Sequence, residues 1–278
     1  MHLRFIMNIK DNQQDYKDLK MAAELLTTPS ITAQISNIVG SPFEKIVEKL
    51  PTKIRNSIQE AVSSALHKAI NGAVKTMDNK PTKSSTIKHK LMAAGSGALG
   101  GVFGAPALVL EIPISTTIIM RAVADIARSE GFDVNDMETK RMCLEVFSLG
   151  GITKADDGSD TGYYFTRVAL NEVMKSFNKE LGKIIAKEGI VKGFSPAQVG
   201  GVMAKLVEAV ATKFGIVITG KIASQIVPVV GAVTGATINS LFVDYYQDMA
   251  LGHFTIKRLE KKYDFEHLRE EFEKLTKK

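Results

Sequence analysis

Ile54-Arg55-Asn56-Ser57-Ile58-Gln59-Glu60-Ala61-Val62-Ser63-Ser64-Ala65-Leu66-His67-Lys68-Ala69-Ile70-Asn71-Gly72-Ala73-Val74-Lys75-Thr76-Met77 is the stretch that decides the fold class. Ile54, Ile58, Val62, Ala65, Leu66, Ala69, Ile70, Ala73, Val74 and Met77 recur at intervals of three and four, which draws one apolar stripe along a long helix. Lys53, Arg55, Gln59, Glu60, His67 and Lys68 occupy the other face, where His67 reads as a solvated side chain. Start signals elsewhere agree. Ser41-Pro42-Phe43-Glu44 sets Ser at a cap, Pro at the first helical position and Glu behind it, and Ser195-Pro196-Ala197-Gln198 repeats the device. Asn135-Asp136-Met137-Glu138 is a third version, and Gly150-Gly151 reads as the stop for its helix. Ile216 to Thr219 is the one candidate strand, and it sits inside a helical pattern. The expectation is an all-α protein with a large multi-helix domain.

Outward from that helix lie two unusual runs. Leu91 to Leu110 is free of charge, and after Glu111 the uncharged run resumes to Met120; Ile222 to Val243 is the second. Both have the length of a membrane span. Five glycines and Pro106 interrupt the first, and Pro228 with several Ser, Thr and Asn residues interrupts the second. The runs therefore read either as helices buried all round in a core or as segments in intimate contact with a membrane. Gly97 and Gly101, Gly100 and Gly104, and Gly231 and Gly235 are four apart, a spacing that lets two helix backbones approach closely in either setting. Lys80, Lys83, Lys88 and Lys90 directly precede the first run, as a solvated linker or as a contact for anionic headgroups.

Composition narrows the function classes. The chain has 278 residues, 45% hydrophobic and 24% charged, which is globular and not disordered. The 36 basic and 30 acidic residues leave a net charge of +6, a mild bias toward anionic partners. With no Trp, 7% aromatics and no basic patch interleaved with aromatics, nucleic acid is not an expected partner. The single cysteine, Cys143, excludes an intramolecular disulfide and a zinc site built on several thiolates, and fits a reduced cytoplasmic setting. The apolar part of the N-terminus is too short for a signal peptide, so no cleaved leader is expected. Thr153 to Thr161 is rich in Asp, Gly and Ser and reads as a surface loop. A boundary near residues 80–90 is expected at Pro81 and the lysines.

Chemical motifs are sparse. Gly95-x-Gly97-x-x-Gly100 matches a dinucleotide fingerprint as a string, but no buried strand precedes it and no acid follows at about 20 residues. Glu111, Arg121, Asp125, Glu145, Asp248 and His253 lie in largely apolar surroundings. Carboxylates and a histidine inside a helical bundle can bind a metal or perform acid–base work, although the Glu-x-x-His spacing of di-iron bundles is absent. The alternative is a set of structural ion pairs, such as Arg121 with Asp125 or Arg258 with Glu145. No metal or cofactor is assigned. The basic segment from His253 to Tyr263, and the charged tail behind it, read as surface helices able to meet a membrane or a partner.

Glu111-Ile112-Pro113-Ile114-Ser115-Thr116-Thr117 through Arg121 and Asp125 to Gly131 resembles the central signature of the EcsC family. Cys143 to Gly151, then Gly162-Tyr163-Tyr164 with Arg167 and Leu170, resemble the following blocks. Val230-Gly231-Ala232, Asn239, Tyr245-Tyr246, Ala250, His253-Phe254 and Arg258-Leu259-Glu260 resemble the C-terminal block. The resemblance covers Thr52 to Tyr263. It divides the chain into an N-terminal helical extension, residues 1–50, and a helical domain, residues 51–278. It implies a bacterial helical protein with no agreed catalytic residues, named after a gene beside an ABC-type exporter linked to secretion. Glu111, Arg121, Asp125, Glu145, His253 and Glu260 fall in its signature blocks. The expectation is a non-enzymatic accessory protein in the cytoplasm, at the inner membrane, meeting the membrane surface or a membrane protein such as an ABC transporter. The rival expectation is a metal-dependent, hydrolase-like enzyme built on the carboxylates and His253.

Overall fold

The computed structural model describes residues 8–72, 77, 84, 105–150, 162–173, 175, 196–226 and 235–277. Among these residues there is helix and no strand. A short 3-10 turn, Ile9–Asp11, leads into α1 (Gln13–Leu26), α2 (Ile31–Val39), α3 (Phe43–Glu48) and α4 (Thr52–Gly72). Then come α5 (Ala105–Ser129), α6 (Met137–Phe147), α7 (residues 162–173), α8 (Pro196–Ile226), α9 (Gly235–Leu259) and α10 (Phe265–Thr276). Gly97, Gly101, Gly104, Gly231, the lysines at 80, 83, 88 and 90, and the loop Thr153 to Thr161 lie outside the described residues. So does the expected boundary near 80–90, apart from Ser84.

The apolar stripe does what its spacing dictates. Ile58, Val62, Ala65, Leu66, Ala69 and Ile70 of α4 are all buried, and α4 packs along α5 and α8. Each large aliphatic side chain so removed from water stabilises the fold by about 1.5–3 kcal/mol before entropy is counted. One main core takes side chains from α2 through α6 and from α7, α8 and α9. Phe147, Phe214 and Tyr246 meet at its centre, with Phe147 and Phe214 edge to face at 4.9 Å between centroids. A second cluster joins the ends of the chain: Ile9, Leu19, Ala22 and Ala23 pack with Tyr163, Tyr164, Ile256, Leu259 and Phe272.

Local signals explain most boundaries. Ser30 caps α2 by accepting the Ala33 N–H, and Asp264 caps α10 by accepting from Glu266 and His267. Gly40 and Gly131 take left-handed φ values of 68° and 85° behind α2 and α5, a conformation with little penalty only for glycine. Two expected caps shift by one residue. Pro42, not Ser41, flanks α3, because its extended ψ of 140° holds it outside the helix. Asp136, not Asn135, flanks α6, and neither helix has a side-chain cap bond. Pro196 opens α8 as expected, and Ile216 to Thr219 is helical within it.

Close helix contact is built on glycines that the four-residue spacing did not pick out. A Cβ at Gly220 would sit 2.0 Å from the Phe43 ring, and one at Gly215 would sit 2.0 Å from the Gln59 amide. At Gly252 it would meet Leu26 at 2.7 Å. Gly150 follows α6 after Ser148 and Leu149, and it also leaves room for the Tyr246 hydroxyl, 2.5 Å from where a Cβ would be.

Candidate functional site

Two buried polar clusters contain most of the singled-out residues. The first lies where α5, α8 and α9 meet. Glu111 is on the inner side of α5, 7% exposed. Its Oε1 accepts from Lys221 Nζ of α8 at 3.0 Å and from Asn239 Nδ2 of α9 at 2.7 Å. Lys221 is 3% exposed, and its ammonium also lies 5.5 Å from the centroid of the Phe242 ring. Burial lowers the Lys221 pKa, and Glu111 pulls against that shift. The pair is therefore a minimal, dry ion pair with one extra donor.

The outer side of the same α5 turns is bare. Leu110 is 76% exposed and Ile114 54% exposed, one turn apart, with Pro113 and Thr117 exposed beside them. Residues three and four apart share a helix face, so these four form a strip directly behind Glu111. This strip follows in sequence from the uncharged run 91–110. Among the described residues, no helix is long and apolar enough to cross a membrane.

The second cluster joins α6, α7 and α9. His253 is fully buried; its Nδ1 is 3.1 Å from the Tyr163 hydroxyl and its Nε2 3.4 Å from Glu145 Oε2. Glu145 also accepts from Arg141, one turn back on α6, and Arg141 reaches on to Glu138. Arg167 of α7 holds Glu260 through two parallel hydrogen bonds of 2.6 and 3.0 Å. Its guanidinium faces the rings of Tyr163, Tyr164 and Phe265 at 5.4 to 5.6 Å. Lys257 completes the group, 3.5 Å from Glu260. Burial pushes the His253 pKa down to about 4 in spite of Glu145. Burial raises the Glu145 pKa, but His253 and Arg141 outweigh it and hold the value at about 2. At neutral pH the imidazole is thus neutral beside an ionised carboxylate. Which of Nδ1 and the Tyr163 hydroxyl donates depends on the tautomer, and Nε2 faces Glu145 Oε2 without a hydrogen bond between them.

That chain of Tyr163, His253 and Glu145 has the order of an acid–base relay. Its members are 5%, 0% and 2% exposed, so the relay is sealed among packed helices. Three cations, Arg141, Arg167 and Lys257, face three anions, Glu138, Glu145 and Glu260. The charges balance, and the arrangement ties three helices together.

The remaining predicted residues go elsewhere. Asp125 pairs with Arg128 on α5 at 2.6 Å, and Arg121 is half-buried on the same helix. Asp248 is exposed on α9. Arg258 does not pair with Glu145; it reaches Asp18 of α1 at 2.7 Å and Glu130 at 2.8 Å, because it lies nearer the C-terminal end of α9 than His253 does. Among the described residues, no group of three or more His, Cys, Asp or Glu is placed to hold a metal ion. The Cys143 thiol is buried, and burial pushes its pKa up to about 12. Sequence reasoning passed over Lys221 and Arg141. Lys221 was legible as the lone charge between Phe214 and Val243, and Arg141 as the residue one turn before Glu145.

No curated protein and no solved structure matches the chain. The model of the EcsC protein family matches residues 13–259, from the first residue of α1 to the last of α9. The match takes in α1 to α3, upstream of the sequence blocks quoted above, and it contains every residue of the Glu111 cluster. The chain belongs to the EcsC protein family.

Proposed function

We propose that this protein is a non-enzymatic, membrane-associated accessory protein that works at the cytoplasmic face of the inner membrane. It meets the lipid surface or a membrane protein such as an ABC transporter, in support of a secretion or envelope process. The observation that carries this reading is the strip at Leu110, Pro113, Ile114 and Thr117, continuous in sequence with the uncharged run 91–110. Two large aliphatic side chains in water on one helix turn gain free energy by moving into an interface, at about 0.8 kcal/mol per buried methylene. Lys80, Lys83, Lys88 and Lys90 precede that run, and each basic residue near an anionic surface adds about 1 kcal/mol. The sealed second cluster, with its charges balanced, supports a binding role over an enzymatic one.

Cell fractionation tests the proposal. The tagged full-length protein is expected in the membrane pellet and is expected to leave it in high salt or alkaline carbonate. Recovery in the soluble fraction at low salt contradicts the proposal.

A further inference from the structure

The two ends of the described chain meet at one edge of the molecule. The 3-10 turn Ile9–Asp11 rests on α10, with the Ile9 side chain fully buried in the same apolar cluster as Leu268 and Phe272. Two polar contacts link turn and helix. The Ile9 N–H donates to His267 Nε2 at 3.3 Å, and Lys10 Nζ lies 2.8 Å from Glu271 Oε2. Turn and helix both lie outside residues 13–259, the span that the family model matches. A backbone N–H only donates, so Nε2 is the unprotonated nitrogen and Nδ1 carries the proton of the neutral ring. Glu271 is 5% exposed and also accepts from Lys274 at 2.8 Å. Burial raises the Glu271 pKa, but Lys10 and Lys274 outweigh it and hold the value below the ordinary one, so this ion pair lasts well into the acid range.

We propose that His267 is a pH-sensitive tie between the N-terminal turn and α10: its neutral imidazole accepts the Ile9 N–H, and its protonated form lets go. A protonated Nε2 is itself a donor, so two N–H groups would face each other and the bond breaks. Imidazoles take up protons at higher pH than carboxylates do, so the two contacts part in order. The His267 bond goes first, and Lys10 with Glu271 keeps the turn tethered while it loosens. The turn brings Lys10 and Asp11 to this edge. On α10, Asp264, Glu270 and Glu271 lie three or four residues from His267, on its side of the helix, and meet the new ring charge. From α1 come Asp15, held by Tyr263 and Lys262, and Tyr16, whose ring lies under Lys10 and Lys20 at 5.9 and 4.7 Å. The tie is independent of what the outer face of α5 meets.

Amide exchange of the full chain, resolved by residue and corrected for the intrinsic effect of pH, tests the tie at the Ile9 amide. Protection there is expected to fall about three- to tenfold between about pH 7.5 and about pH 5.5, the worth of one hydrogen bond. His267→Gln offers an amide oxygen that accepts at either pH, and its Ile9 protection is expected to stay within about twofold across the interval. His267→Leu removes the acceptor and is expected to show the low value at both ends. The amides of Met249 to Leu259 in α9 are expected to keep their protection throughout, which separates local loosening from unfolding. Wild-type protection of Ile9 that does not change with pH overturns the tie. So does a fall in His267→Gln as large as that of wild type, or full protection of Ile9 in His267→Leu. An equal loss of protection along α9 also overturns it, because the Ile9 amide would then report unfolding of the whole chain.

Discussion

The two buried polar clusters differ in how their charges are held. Around Glu145 and His253, eight polar side chains from α6, α7 and α9 and the residue after it share the load, and each carboxylate meets at least one cation. Around Glu111 one carboxylate meets one ammonium and one amide, in a dry crossing beneath an apolar outer face. The first has redundancy, so loss of one contact leaves others. Among the described residues the second offers Glu111 one cation and one amide. The difference separates a shared network, which ties α6, α7 and α9 together, from a small one two residues before the proline inside α5.

The largest expected effect breaks the minimal cluster. Lys221→Met leaves Glu111 buried without its cation and is expected to cost about 3–5 kcal/mol in denaturant unfolding. The double change Glu111→Met with Lys221→Met is expected to recover most of that loss, because an apolar pair of similar volume has no charge to desolvate. Glu145→Ala is expected to cost less, roughly 2–3 kcal/mol, since Arg141 keeps Glu138 as a partner.

Acid sharpens the same contrast. The folded-state pKa of His253 lies at about 4, below its ordinary 6.5, so the folded protein binds fewer protons than the unfolded chain between those values. Stability is therefore expected to fall as the pH drops from 6.5 to 4. Glu145, held at about 2 against an ordinary 4.5, adds stability that is present above 4.5 and lost as the pH falls from there to 2. Circular dichroism melts of His253→Leu are expected to lack the upper limb and to show a smaller lower one, because His253 is part of what holds the Glu145 pKa down.

Smaller effects come from packing and from the surface. Gly220→Ala forces a Cβ against the Phe43 ring and is expected to cost about 1–3 kcal/mol, with Phe43→Leu as a second change that relieves it. Arg258→Ala removes links to Asp18 and Glu130, but the side chain is 28% exposed, so about 0.5–1 kcal/mol is expected. Equal losses for Arg258→Ala and Lys221→Met in the same unfolding assay contradict the contrast between shared and minimal clusters.

Periodicity carried the fold class because a helix stripe depends only on neighbours in sequence, as Ile58 to Ile70 show. Partners across helices depend on packing, which spacing does not encode. Arg258 looks as free to meet Glu145 as Glu130, and only the path of α9 past α5 and α1 decides for Glu130 and Asp18. The glycines show the same limit. Four-residue spacing drew attention to Gly97, Gly101 and Gly104, outside the described residues, whereas Gly215 and Gly220 are needed because Gln59 and Phe43 arrive from α4 and α3. Glu111 was legible as a charge between apolar runs, but its partners required the fold.

The central claim is that the outer face of α5 meets the membrane. Flotation with phosphatidylglycerol vesicles, comparing wild type with the double variant Leu110→Asp and Ile114→Asp, tests it most directly. Both positions face solvent, so the variant is expected to keep its helicity. Wild type is expected to float with the vesicles and the variant to remain at the bottom of the gradient. Equal flotation of the two proteins, or none for wild type, contradicts the account.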